Sequence, residues 1–252
     1  MRFAKTKAPP DGFFGLLAFA IIALALLSGG VGFYRHKAQQ IGVDQHRVIA
    51  AIGLLKSGQI QSWRKERLAD ASATARKSFF RREVREFLRN PNNPKLRAEL
   101  QERLQISKKG DIYQSSLLIG VQGGLVGQVL LHTERSAAPI DPPARQAIAQ
   151  AVASAEPVFS DFFGPTSGST QIDVVAAVRD ADGQPLAAVV LRSSADAFLF
   201  PMIQDWPLPS HSAETMLVLR AGSDALIPHR LRHQAATAPR WRPPLTNAAL
   251  PS

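Results

Sequence analysis

The sequence contains no cysteine. That absence excludes a disulfide framework, a thiolate metal centre, a cysteine nucleophile and a lipid-modified cysteine. Aromatic residues are scarce, at 7% of 252 residues, and acidic residues are outnumbered by Lys and Arg, 20 against 30. The resulting formal charge of +10 points first to nucleic acid or to an anionic membrane surface. The basic residues are spread, however, over the N-terminus, the helical region and the last thirty residues. No zinc-finger spacing, RNA-recognition signature or helix-turn-helix gathers them, so no nucleic-acid partner is expected.

Catalytic signatures are also missing. No Gly-x-Ser-x-Gly elbow frames a serine nucleophile. The glycines of "GVQGGLVG" have the wrong spacing for a dinucleotide loop, and no phosphate-binding Gly-x-x-x-x-Gly-Lys loop exists. His229 and His233 stand at i, i+4 without an evident third ligand, so no metal site is expected. Asp161, Asp173, Asp180 and Asp182 read as strand-edge and turn residues. The chain is therefore expected to be neither an enzyme nor a cofactor carrier.

What is present begins with "FFGLLAFAIIALALLSGGVGF", Phe13 to Phe33, which carries no charge. A helix of that length covers about 31 Å, the thickness of a bilayer's hydrocarbon core. Arg2, Lys5 and Lys7 precede it and favour a cytoplasmic N-terminus. A cleaved signal peptide with its processing site at Ala23-Leu24-Ala25 is the competing reading. The apolar run continues past that site to Phe33, which favours an uncleaved anchor in the inner membrane with the chain after about residue 34 exported.

From Ile41 to about Arg89 the chain has no proline and reads as a long charged helix. Ile60, Trp63, Ala71, Ala75 and Phe79 make an apolar stripe along it, and Arg67 lies one turn beyond Trp63, placed to stack on the indole. "NPNNP" breaks the helix, and Asn93 with Pro94 starts a shorter one bearing Leu96, Leu100 and Leu104. After Gly110 the pattern changes to two strands joined at Gln122-Gly123-Gly124, a helix opened by Asp141-Pro142-Pro143, and three further strands. The last two of these form a hairpin around Asp180 to Gly183. Within "IDVVAAV" both faces are apolar, which implies a sheet covered on both sides. A short helix in "ADAFLFPMIQDW" and a hairpin from Glu214 to Pro228 follow. The fold class is α+β: an antiparallel sheet covered by helices.

The order of these pieces carries a resemblance. A membrane helix precedes "QIQSWRKERLADA"; a two-plus-three-strand sheet follows, then "FLFPMIQDWPLPSHSAETMLVLRAGSDALIPHRLRH" and "PLTNAALP". This resembles the periplasmic double Cache-like (PAS-related) sensor region of bacterial transmembrane receptors, found on sensor histidine kinases and diguanylate cyclases. The Ile60-x-x-Trp63-x-x-x-Arg67 cluster and the stretch from Gln204 to His233 carry it most specifically. The resemblance implies a cytoplasmic N-terminus (1–12), a membrane helix (13–33), stalk helices (34–109), a sensor module (110–207) and the start of a second, incomplete module (208–252). It also implies an unidentified small-molecule ligand, a homodimer through stalk and membrane helix, and an output domain beyond this chain. Ile60, Trp63 and Arg67 would pack the stalk. The Asp-Tyr-Arg-Gly stretch that often continues the second module is absent, and no ligand motif of the family is recognisable.

Pocket residues are expected among polar groups on or beside the strands: Tyr113, Ser115, Asp161, Arg179 and Arg192. Arg179 and Arg192 flank the hairpin, placed either to grip a carboxylate through paired N–H donors or to stand as exposed residues at strand ends. The alternatives are a bitopic envelope assembly protein with no small ligand, or a free periplasmic binding protein released by cleavage near Ala25.

Overall fold

A computed structural model describes residues 13–107, 112–133, 140–164, 169–208, 213–222 and 224–229. The chain divides into two units, Met1–Leu55 and Lys56–Ser252. Helix α1, Phe13–Arg76, supplies all described residues of the first unit and opens the second. In the first unit most described large apolar side chains are exposed, Leu16, Phe19, Leu24 and Leu26 each by more than 70%, while Ile52 is buried. Among the described residues no helix is long and apolar enough to cross a membrane.

The second unit is built on a five-stranded antiparallel sheet of order β2-β1-β5-β4-β3. Its strands are β1 (Ser115–Gln122), β2 (Leu125–His132), β3 (Val158–Phe159), β4 (Gln171–Arg179) and β5 (Pro185–Ser194). Gly123 and Gly124, both at positive φ, close the β1–β2 hairpin, the geometry that a two-residue turn between twisted strands demands. Asp180 closes the β4–β5 hairpin by accepting hydrogen bonds from the backbone N–H groups of Asp182 and Gln184.

Both faces of the sheet are covered, as the apolar pattern of β4 requires. On one face Leu118, Val174, Ala176, Val189 and Leu191 meet the end of α1, α2 (Ser78–Arg89) and α3 (Pro94–Ser107). On the other, Leu117, Ile119, Val175 and Val190 meet α4 (Pro142–Ser154) through Ala147, Ile148 and Ala151. A third cluster joins Ala195 and α5 (Leu199–Gln204) to Ile60 and Trp63.

Three expectations change. The charged helix is not continuous to Arg89: the backbone is extended at Lys77, and α2 starts afresh at Ser78. Around Lys77 the sequence has no proline or glycine to announce that break. "PVFSDFF" yields only the two-residue β3, with one further bridge from Phe163 to Gln171. The hairpin after Glu214 shortens to β6 (Leu219–Ala221) and β7 (Asp224–Leu226).

Candidate functional site

Asp173 sits in β4 directly opposite Arg192 in β5, and Ser115 in β1 faces Arg192 from the other side. The three therefore lie in one row across neighbouring strands, on the face that carries α4. Arg192 donates two hydrogen bonds to Asp173, Nε to Oδ1 at 2.9 Å and a terminal nitrogen to Oδ2 at 3.0 Å. The guanidinium lies over the ring of Phe163, 4.7 Å from its centroid. Asp173 is wholly buried and Arg192 nearly so. Such a pair is costly to desolvate and holds only when its geometry and hydrogen bonds are good.

A second carboxylate reaches the same cation. Asp141 Oδ2 is 3.7 Å from Arg192, and its side chain is 40% exposed. Asp141 stands at the N-cap of α4, yet its carboxylate makes no capping hydrogen bond. The reason lies in the next two residues. Pro142 and Pro143 occupy the first two helical positions and carry no N–H, so of the two usual targets of an N-cap side chain only the N–H of Ala144 is left, and Asp141 does not take it. The carboxylate is left to turn toward Arg192, and Asp173 and Asp141 share one guanidinium. Burial raises the Asp173 pKa above the ordinary carboxylate value, opposed by the Arg192 hydrogen bonds and pushed further by Asp141. A buried cation with two acidic neighbours, one of them partly open to solvent, can exchange one carboxylate for that of an incoming molecule. The carboxylate displaced from Arg192 is then free to accept an ammonium.

Of the residues expected to line a pocket, Ser115 and Arg192 come together in this row. Tyr113 belongs to the opposite face, where its hydroxyl donates to Asp70 Oδ2 at 2.9 Å and Arg67 lies over its ring at 5.4 Å. Burial, more than any charge, holds its pKa above the usual tyrosine value. Asp161 is exposed beyond β3, and its carbonyl accepts from Ser160 Oγ at 2.8 Å. Arg179 donates to the carbonyl of Gly183 at 2.8 Å and to that of Val152. It lies six residues along β4 from the strand position opposite Arg192, about 20 Å away at strand rise. The two arginines thus do not converge on one carboxylate.

Asp173 is not the strand-edge residue expected of it, and Asp141 and Phe163 complete a cluster that the sequence reading missed. Counting evenly from the Asp180–Gly183 turn sets Asp173 against Val190; the strands instead pair Arg179 with Pro185 and shift register between Val178 and Arg179, which brings Asp173 opposite Arg192.

The packing residues of α1 behave differently from one another. Trp63 stacks on Phe159 with centroids 5.4 Å apart, and Arg64 covers the same ring at 4.8 Å. Arg67 leaves Trp63 for Tyr113 because Asp70, 3.5 Å away, and Glu66, 3.3 Å away, draw its charge there. His229 is buried: its Nε2 accepts the N–H of Leu217 at 3.0 Å, and its Nδ1 lies 3.1 Å from the Gln204 amide. An accepting Nε2 puts the proton on Nδ1, so Gln204 must present its oxygen there. Both ring nitrogens are thereby occupied without a metal. His233 lies outside the described residues, and among those residues no group of acidic or histidine side chains has the arrangement of a metal site.

No protein-family model and no curated protein matches the chain. Solved structures do. One is the ligand-binding domain of the Pseudomonas aeruginosa PAO1 amino acid chemoreceptor PctC in complex with GABA. It has 19% identity and a TM-score of 0.46, over 63% of this chain and 64% of that one. A second is the ligand-binding domain of the Pseudomonas fluorescens chemoreceptor CtaA with L-isoleucine, at 17% identity and 0.43, over 69% and 63%. A third is that of the P. aeruginosa amino acid chemoreceptor PctB with L-Arg, at 15% and 0.49, over 75% and 73%. The chain spans less than two thirds of the first two. These likenesses assign it neither a family nor a ligand.

Proposed function

We propose that this chain is the extracytoplasmic ligand-sensing input region of a membrane-bound signalling receptor, and that its ligand is a small ionic molecule held at the Asp173–Arg192–Asp141 cluster. The observation that carries the reading is the buried Arg192 shared between two carboxylates, one fully enclosed and one partly open. The second, half-exposed acid leaves the buried guanidinium open on one side to exchange with an incoming carboxylate. A zwitterion fits the cluster: its carboxylate takes the guanidinium and its ammonium takes the acid so released.

The rest of the assignment rests on the sequence. The uncharged run 13–33, with its exposed apolar side chains, supports a single inner-membrane anchor. Residues 34–109 serve as stalk, 110–207 as sensor module and 208–252 as the start of a second module. The chain works as a homodimer through stalk and membrane helix, and the output it serves is of the histidine kinase or diguanylate cyclase type. The chain itself performs no chemistry.

The test is thermal unfolding of the full chain in a neutral detergent against a panel of amino acids, amines and carboxylates. A ligand at a hundred times its Kd adds about 2.7 kcal/mol, which is on the order of 5–10 °C in a domain of this size. A saturable rise of that kind, removed by Asp141→Asn, supports the proposal. A flat response across the panel, with co-purification of envelope proteins, favours the bitopic assembly reading.

A further inference from the structure

A groove of about 310 Å³ lies between α2 and the β4–β5 turn, lined by Ser78, Arg81, Arg82, Arg85, Asp180 and Ala181. The four α2 residues fall at i, i+3, i+4 and i+7 and so share one helix face. Three like charges on one face repel one another, and the single acid in the groove, Asp180, offsets only one of them. Among the described residues Arg82 and Arg85 make no hydrogen bond or ion pair, and the Nε of Arg81 is buried without a partner. Glu83, the nearest acid on the helix, is taken by Arg103, whose guanidinium grips it at 2.6 and 2.7 Å. Asp180 spends one carboxylate oxygen on its own turn. The start of α2 adds to the imbalance: Lys77 stands at its N-cap, no side chain caps it, and its first turn holds no acid.

We infer that this groove is a binding site for a dianionic phosphate monoester, separate from the Asp173–Arg192 cluster. Guanidinium groups present N–H pairs at the spacing of phosphate oxygens, and the uncapped first turn of α2 offers backbone N–H donors beside them. Three cations against one acid balance a dianion, not the single charge of a phosphodiester. The groove holds the volume of about ten waters, which leaves room for the organic part of the ester beyond the phosphate itself.

The experiment is calorimetric titration of the full chain in a neutral detergent with three probes: glycerol 3-phosphate, inorganic phosphate and the diester glycerophosphoglycerol. Glycerol 3-phosphate binds saturably and more tightly than the diester. Arg81→Gln with Arg85→Gln weakens it by at least about tenfold, as expected for loss of charge-assisted hydrogen bonds. Arg145→Gln, which removes one exposed charge from α4, leaves it unchanged. Because the paired substitution relieves like-charge repulsion and removes the buried, unpartnered Nε of Arg81, the variant unfolds at the wild-type temperature or above it, so loss of binding is not loss of fold. Three outcomes overturn the inference. The first is no saturation by either glycerol 3-phosphate or inorganic phosphate. The second is equal weakening by Arg145→Gln, which marks diffuse attraction. The third is a diester bound as tightly as the monoester, which assigns the groove to lipid headgroups. None of them bears on the ionic ligand proposed at Arg192.

Discussion

Replacing Arg192 by Met tests how the sheet holds its buried charge. Asp173 is fully enclosed and Arg192 is 10% exposed, so the substitution strands a carboxylate that water cannot reach. Two hydrogen bonds at 2.9 and 3.0 Å go with it. Breaking one side of a buried pair costs about 3–5 kcal/mol, which lowers the melting temperature on the order of 10 °C. Asp173→Asn costs less, about 1–3 kcal/mol, because Asp141 stands ready at 3.7 Å to neutralise the remaining guanidinium. Among the described residues no second cation plays that part for Asp173. The Arg192→Met deficit also depends on pH. Burial already raises the Asp173 pKa, and the variant loses the Arg192 hydrogen bonds that oppose this. A raised carboxyl supports the fold where it is protonated, below the ordinary value of about 4, and that support fades as pH rises through the raised value. The deficit therefore shrinks as pH falls from neutrality into the carboxylate range. Urea unfolding of both variants, followed by helix signal at two pH values, reads all three quantities. Equal costs for the two substitutions, or a deficit that grows on acidification, refutes the reasoning.

Three further predictions concern stability. The raised pKa of Tyr113 makes its contribution full below the ordinary tyrosine value near 10 and lost as pH climbs past it; Tyr113→Phe flattens that alkaline decline, measured as melting temperature against pH, at a cost of about 1 kcal/mol. A Cβ on Gly127 would come 2.8 Å from the carbonyl oxygen of Gly120, so Gly127→Ala forces the bulged β1–β2 pairing apart and destabilises by about 1–3 kcal/mol in chemical unfolding. Trp63→Ala removes the stack on Phe159 and the packing against the α5 cluster; it costs about 3 kcal/mol, whereas Arg67→Gln, which leaves Trp63 in place, costs less.

Much of the fold was legible because the signals were local. Period-two apolar runs gave β1, β4 and β5, glycine pairs and Asp-x-x-Gly gave their turns, and the two-sided apolarity of β4 required the helices seen on both faces. Contacts between distant segments were not legible. Arg67 has Trp63 as its neighbour in sequence, but its charge is settled by Asp70 and its face by Tyr113 from another segment. Asp141 carries the signature of a helix cap, and its turn toward Arg192 depends on a strand distant in sequence. The Asp173–Arg192 pair lies between these cases: the turn announces the hairpin, but with the register shift between Val178 and Arg179 the pairing stands two residues from what even counting gives. Their burial depends on α4 and the Phe163 segment closing over the row, which no local pattern announces.

The claim that Arg192 hands its charge to a ligand is tested most directly on its own Nε–H. In a nitrogen–proton correlation spectrum of the full chain, a buried guanidinium bonded to Asp173 gives a protected Nε–H signal, identified by its absence in Arg192→Lys. At saturation with a molecule that raises the melting temperature, that signal is predicted to shift as the acceptor changes from Asp173 to the ligand. A ligand that stabilises the chain while leaving the Arg192 signal unmoved would contradict the account.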